Sequence, residues 1–338
     1  MMQDARRIWL GLIYNNLDII ANLAPYLLSF SYTDYANGKA DDLQINLEDR
    51  ESLWKSGWMP DKGAVLQAAL HVRNWTVDNE YKVLPLGVFE IDEIECSGPP
   101  EVVSVKALSL PESASLRGEA KTRAWEKTRL SVIANDIAQK AGLKLLYETD
   151  ENPEYDRIEQ TEQSDLSFLQ NLCEDAGLSL KIANKQLVIF DDSKYEQQPP
   201  VMTITRGLSP VLSYQAVSST ANVYVAAQVA YKGAKQKKEI VYIYRPPNAP
   251  KTGKTLVINQ RVSSLDEAMR LAKQRLRQAN KQETKFNLTV MGNIALVAGV
   301  TVMLKGWGNF DDKYFIETAE HSGPNYTTRL ELRRVLGW

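Results

Sequence analysis

The chain has 338 residues, of which 44% are hydrophobic and 24% charged, and its net charge is −2. Such a balance fits a folded protein of two or three domains and excludes extended disorder. Its two cysteines, Cys96 and Cys173, lie too far apart and too isolated from other ligand types for a disulfide scaffold or a thiolate zinc site.

The first residues, MMQDARRIWLGLIYNN, place two arginines before an apolar stretch that Tyr14, Asn15, Asn16 and Asp18 interrupt. No cleavage-like site follows, and no apolar run reaches the roughly 18 residues of a membrane span, so neither a leader nor a span is expected. From there to residue 110 the pattern is β. Leu43, Ile45 and Leu47 alternate with Gln44 and Asn46, and Val88–Asp92 and Val102–Ala107 repeat the alternation. Asn37-Gly38 signals a tight turn, Trp54 and Trp58 flank a turn at Gly57, and a short helix or turn is expected over 47–54. Short strands at this spacing predict a sandwich or barrel.

Residues 111–205 change character after a connector opened by Pro111. Thr128 is the expected cap of a helix with Leu130, Ile133, Ala134, Ile137 and Ala141 on one face and Gly142 as its stop. A second helix starts near Ser164, carries Leu166, Leu169, Leu172, Cys173 and Ala176 on one face, and stops at Gly177. Each glycine leads directly into a strand, so two helix–glycine–strand units follow one another, and Lys185–Phe190 completes a small sheet. Pro199-Pro200 closes the segment.

Residues 206–338 return to β, with strands expected at Val223–Val225 and Glu239–Tyr244 and a rigid loop at 245–250. One helix interrupts, over 264–280. Ser264 and Glu267 have capping-box spacing, and Leu265, Ala268, Met269, Ala272 and Leu276 form its apolar stripe, expected on the outer face of a barrel or at a subunit joint. The closing strands include TTRLELRRV, where Thr328, Leu330, Leu332 and Val335 interleave with Arg329, Glu331 and Arg333, so one face is buried and the other wet.

Charge divides unevenly along this order. Residues 206–338 carry 20 Lys and Arg against 9 Asp and Glu, whereas residues 1–205 carry 20 against 33, and residues 1–110 alone 9 against 16. Regions of opposite charge are expected to meet, within a molecule or between copies.

No catalytic, cofactor-binding or metal-ligating residue is assigned. Lys251-Thr252-Gly253-Lys254-Thr255 lacks the earlier glycine of a phosphate loop, Asn248 standing there, and β-favouring Leu256-Val257-Ile258 follow it. His71 and His321 have no nucleophile-elbow serine near them in sequence, and His321, before Ser322-Gly323-Pro324, reads as a turn or packing residue. The acidic pairs Asp41-Asp42, Glu48-Asp49 and Asp311-Asp312 read as solvated turns and edges and not as an opposed catalytic pair. The lysine run 232–238 reads as an exposed hairpin tip that protects a strand edge, and not as a nucleic-acid site.

Three stretches carry a family resemblance. One is Ser164–Leu172 with Glu174-Asp175-Ala176-Gly177-Leu178. Another is the Ala/Arg-rich helix Ser264–Arg277. The third is Lys305-Gly306-Trp307-Gly308, Lys313–Ile316, His321 and Tyr326–Val335. Looser matches are Asp41–Ile45 and Leu86–Ile91. Their order resembles the phage late control protein D family, the baseplate hub proteins of contractile tails. The fold class is then mainly β with an α+β insert: two similar antiparallel β-barrel, tube-like domains, 1–110 and 206–338, and a small α/β domain, 111–205. The resemblance further implies a homotrimer whose six barrels match a hexameric tail tube while a three-fold face meets the central spike protein. Tape measure and baseplate wedge proteins are further expected partners. No cofactor, specific nucleic-acid binding or membrane span is implied, and the expected location is a virion or phage-tail-like particle assembled in the host cytoplasm. Two other readings remain open: a hub with peptidoglycan-hydrolase activity, and the hub-like head of a secretion-system spike. The second normally continues into a needle, whereas this sequence ends at Trp338, so a separate spike polypeptide is expected.

Overall fold

The structure, a computed structural model, describes residues 5–110, 116, 118–221, 223–231, 240–247, 249–260, 262 and 264–338. The N-terminal part holds β1 (Arg7–Tyr14), β2 (Leu17–Asp18), the single turn α1 (Ile20–Leu23), β3 (Leu27–Tyr35), β4 (Asp42–Glu48), β5 (Val65–Arg73), β6 (Tyr81–Ser97) and β7 (Val102–Leu108). These strands are antiparallel in the order β3-β4-β7-β6-β5-β1-β2. The period-two pattern acts as read: Leu43, Ile45 and Leu47 of β4 and Leu66, Ala68, Leu70 and Val72 of β5 are buried, and they enclose one core with Phe89, Ile91, Val103 and Val105. The segment after β4 is a turn and not a helix. The Asp49 carboxylate accepts from the N–H groups of Trp54 (2.8 Å) and Lys55 (3.3 Å) and pins it.

The next part holds β8 (Lys121–Arg129), α2 (Leu130–Lys140), β9 (Lys144–Glu148), β10 (Glu154–Gln163), α3 (Asp165–Asp175), β11 (Ser179–Ala183), β12 (Gln186–Phe190) and α4 (Asp192–Gln197). The connector expected at Pro111 lies outside the described residues. Central β12 pairs in parallel with β9 and antiparallel with β11, while α2 and α3 bury Ile133, Ile137, Leu169 and Leu172 in a second core. Gly142 and Gly177 both adopt the left-handed conformation that ends a helix, φ +68° and +70°. Ser164 caps α3, its side chain accepting from Ser167 N–H. Thr128, in contrast, is not a cap but a residue of β8. The first donors of α2 go to a neighbouring loop instead, Leu130 N–H to Pro153 O (3.0 Å) and Ser131 N–H to Asn152 Oδ1 (3.0 Å).

The remaining elements are β13 (Met202–Thr205), β14 (Val211–Ser218), β15 (Ala226–Tyr231), β16 (Ile240–Tyr244), β17 (Thr255–Ile258), α5 (Leu265–Asn280), β18 (Thr284–Met291), β19 (Thr301–Lys305), β20 (Asp312–Gly323) and β21 (Thr327–Arg334). β14-β18-β21-β20 form an antiparallel run, with β19 also on β20 and β13 on β19. Phe286, Leu288, Tyr314, Ile316, Leu330 and Leu332 make the third core. β20 changes partner along its length: its first residues pair with β19, and Thr318–Gly323 pair with Tyr35–Phe30 of β3. A register shift against β21 between Ile316 and Thr318 marks the change, and the carbonyl of Glu317 accepts from Ala36 N–H. The two ends of the chain thus share one 13-stranded sheet. No pairing among the described strands closes either half of it into a ring of hydrogen bonds.

The strand expected at Val223–Val225 lies slightly later, in β15, and Glu239 falls outside the described residues. β15, β16 and β17 form a separate three-stranded sheet, and α5 covers it with Ala268, Leu271, Ala272 and Leu276 in a fourth core. The helix therefore packs on its own small sheet, and not on the outside of a barrel. Leu265 and Met269, read as part of its stripe, are 53% and 40% exposed, and Leu271 is buried instead. Ser264 caps α5 by accepting from Glu267 N–H at 3.2 Å. Among the described residues no helix is long and apolar enough to cross a membrane.

Candidate functional site

The acidic and basic side chains that periodicity assigned to solvent do the opposite at two places, and both lie where separate parts of the chain meet. The first surrounds Arg333. In β21 this residue was read on the wet face beside Arg329 and Glu331, yet it is only 1% exposed. α4 covers the end of β21, so the face that is solvated at Arg329 is closed at Arg333. Its guanidinium lies 2.9 Å from Asp192 Oδ2, 2.6 Å from Glu196 Oε1 and 3.1 Å from Glu317 Oε1, and 4.5 Å above the Phe315 ring. Lys281, the C-cap residue of α5, reaches Asp192 Oδ2 with its Nζ at 2.5 Å, and Arg277 of α5 pairs with Glu196. Three cations and three carboxylates thus fasten α4, α5 and the β20–β21 hairpin together. Burial by itself would raise the Asp192 carboxyl, but Lys281 and Arg333 override it and hold the group below the ordinary carboxylate range. The sequence offered only a weak sign, two carboxylates four residues apart on a short helix and an arginine in an otherwise regular strand.

The second cluster joins β11 to the N-terminal sheet. Lys181 pairs with Asp34 and lies 3.4 Å from Asp41 Oδ1. Asp34 Oδ2 accepts from Ala298 N–H at 2.9 Å, and Asp41 Oδ1 from Tyr35 N–H at 2.9 Å. Asn37 and Gly38 bond the backbone of Leu180 on both its polar groups, Leu180 N–H to Asn37 Oδ1 and Gly38 N–H to Leu180 O. Asp41, expected in a solvated turn, is 2% exposed, and Asp49 likewise. Asp311 and Asp312 do stay exposed, Asp311 accepting from Gly306 and Trp307 N–H, while Asp42 and Glu48 are half-buried.

Burial chiefly, opposed by Lys181 and reinforced by Asp34, pushes Asp41 up to about 7 from the ordinary 3.8. Between those values the folded chain keeps a proton that the unfolded chain releases. The resulting stabilisation is complete below the unfolded value and is lost as pH rises through the folded one. Asp41→Asn should therefore gain in melting temperature relative to the wild type as pH rises towards and through neutral, and lose that gain as the medium is acidified. His321, pushed down to about 4 by burial, contributes the opposite slope, but both proteins share it. Parallel melting curves for the two proteins across mildly acidic to mildly alkaline buffers would refute the assignment.

Among the described residues, neither histidine hydrogen-bonds a serine. His321 is fully buried; its Nε2 donates to Leu296 O (3.0 Å) and its Nδ1 accepts from Tyr326 Oη (2.9 Å), which is the packing role expected of it. His71, Trp9 and Tyr81 are mutual ring neighbours, with centroids 5.1 to 5.9 Å apart, and His71 Nδ1 lies 2.6 Å from Tyr81 Oη. Lys254 of the 251–255 segment donates to Ala221 O, and β17 follows the segment where a phosphate loop would need a helix. Cys173 is buried, Cys96 exposed, and both are free. No metal-holding group of His, Cys, Asp or Glu occurs among the described residues. The lysine run 232–238 lies outside them.

What the molecule does offer is edges. Among the described residues, β14 pairs only with β18 and ends the large sheet. Leu212 and Val217 along it are 61% and 48% exposed, and Leu208 in the turn before it 86%. At the opposite end, short β2 leaves Leu17 67% exposed and Ile13 of β1 37% exposed. Apolar side chains beside unpaired strand edges are the usual substrate of strand-to-strand association.

Comparison with known proteins gives this arrangement its context. Residues 91–327 match the family model described as phage tail baseplate hub (GPD). A probable baseplate hub protein of Escherichia phage 186 is 27% identical over 245 residues, covering 70% of this chain and 60% of that protein. Its counterpart from Escherichia phage P2 is 28% identical over 213 residues, covering 58% and 49%. The matched region thus spans only about half to three fifths of these relatives. A solved 43 kDa tail protein of prophage MuSo2 from Shewanella oneidensis shares the fold, with a TM-score of 0.72 at 12% identity over 97% of this chain and 98% of that one.

Proposed function

Because this chain belongs to the phage tail baseplate hub (GPD) family, we propose that it is the structural hub of a contractile tail or phage-tail-like particle, a trimeric adaptor between the hexameric tail tube and the trimeric spike. Its place is the tail baseplate. Residues 1–110 and 206–338 supply two tube-like modules per copy, and 111–205 is the insert that braces them. Three copies then present six modules on the tube side and three-fold symmetry on the spike side. Tube and spike proteins are the principal partners, with tape measure and wedge proteins as further ones. The role is geometric and not catalytic.

The observation that carries this reading is the single sheet with two different open ends. Unlike edges can meet head to tail, and such contacts close into rings when the rotation between copies allows it. Here the β14 edge of one copy would meet the β1–β2 edge of the next. The buried clusters at Arg333 and Lys181 hold the two halves in a fixed orientation, which a closed ring requires. Opposite charge on residues 1–110 and 206–338 steers the encounter, with the apolar edge residues supplying most of the affinity.

Native mass spectrometry of the purified chain tests this. A species of three times the 38.1 kDa chain mass, whose rate of formation falls as salt is raised, is the expected result. A strict monomer at every concentration and salt would overturn the ring, and assembly indifferent to salt would remove the steering.

A further inference from the structure

α5 has a side that the small sheet does not use. It forms one wall of a groove of about 560 Å³, whose other walls are α4, the segment after α3 and the last residues of the chain. Most cations there are already engaged. Arg277 is held by Glu196 and by Trp338 O (3.0 Å), Lys281 by Asp192, and Lys313 donates to Gln198 O (2.5 Å). Arg270 and Lys273 are different. Both are exposed, line the groove one turn apart, and form no ion pair among the described residues. Leu265 and Met269, exposed apolar side chains eight and four residues before Lys273, lie on α5 outside the groove lining. The groove lining also includes Leu178, Leu336 and Trp338.

We propose that this groove docks an acidic polypeptide segment of an assembly partner, with carboxylates on Arg270 and Lys273 and aliphatic side chains against Leu336 and Trp338. Two unpaired cations at i and i+3 match two carboxylates at similar spacing on an opposing strand or helix. The charge excess of residues 206–338 gives the approach the right sign. A nucleic acid fits less well. Two spare cations neutralise few phosphates, and Leu178, Leu336 and Trp338 offer nothing to a sugar–phosphate chain; Glu151, which also lines the groove and forms no ion pair among the described residues, disfavours either anion beside it. The rigid seat follows from Gly177, where a Cβ would fall 2.7 Å from Gln274 Cγ. Only a residue without one lets α5 sit this close to the end of α3.

The inference extends the hub reading by naming the chemistry of one partner, and it can be tested on the isolated full-length chain. Three fluorescein-labelled probes are compared by anisotropy: an alternating Leu-Glu peptide, the matching Leu-Lys peptide, and a single-stranded DNA oligomer. The Leu-Glu peptide should bind, lose affinity at high salt, and weaken about ten-fold or more with Arg270→Glu/Lys273→Glu. Arg270→Gln/Lys273→Gln should weaken it less, and Lys305→Glu, away from the groove, should leave it unchanged. Binding of the Leu-Glu peptide no tighter than the Leu-Lys peptide, equal or tighter binding of the DNA, or full binding by the charge-reversed variant would each overturn the proposal. Because the readout does not require oligomers, it can fail while the ring forms, and succeed while the ring does not.

Discussion

Replacing Arg333 with alanine should destabilise the chain by about 3 kcal/mol, the lower end of the usual cost of breaking a buried ion pair. The guanidinium is buried, touches three carboxylates from two other segments and lies over Phe315, so nothing from solvent can replace it. The lower end applies because each α4 carboxylate keeps one cation, Asp192 its Lys281 and Glu196 its Arg277. Glu317 is partly exposed and can turn to water. Arg333→Lys should recover only part of the loss, since an ammonium cannot reach all three carboxylates with the geometry of a guanidinium fork. Urea unfolding followed by circular dichroism reads both values. A loss for Arg333→Ala within the range of an ordinary surface substitution, about 0.5 kcal/mol, would show that the cluster does not fasten α4 and α5 to the sheet.

Charged substitutions on the β14 edge should abolish the trimer while leaving the subunit folded. Leu212 and Val217 are exposed in the single chain, so Leu212→Asp/Val217→Lys removes no core contact, and its effect on unfolding should stay within about 0.5 kcal/mol. In a ring, the same positions would be buried against the next copy. There each unpaired charge would have to be desolvated, and charged edge residues are the means by which sheets avoid such pairing. Native mass should then shift from the three-fold species to the 38.1 kDa chain. Leu17→Asp, at the opposite edge, should give the same shift, because a head-to-tail contact needs both surfaces. A trimer that survives both substitutions would exclude these edges as the joint, whatever else holds the copies together.

Much of this architecture is legible from local pattern. Leu43, Ile45 and Leu47 are buried because adjacent residues of a strand point to opposite faces, a property of the extended backbone that no tertiary contact needs to supply. Ser164 and Ser264 start helices, and Gly142 and Gly177 end them, because capping and left-handed geometry are settled within one turn. Thr128 failed as a cap for the same reason inverted. Cap-like chemistry at one position says nothing when a distant loop, here Asn152 and Pro153, satisfies the donors first.

The sites were less legible. Arg333 has the sequence context of a solvated strand residue, and only the arrival of α4 makes it buried. Asp41 sits in a turn-like stretch, and only β11, with Lys181, closes over it. The stripe on α5 was drawn one flank away from the true one because the sheet that it covers is built from strands as far off as Ala226.

By itself, then, the sequence determined the alternation of strands, the helices with their stops, the charge polarity and the family. These rest on backbone geometry and side-chain chemistry within a few residues, or on motif order along the chain. The tertiary structure alone decided that β20 joins β3, that α5 has its own sheet, and which charges are buried. Each depends on segments that are distant in sequence excluding water from the same space, and no local pattern records which distant segment will arrive.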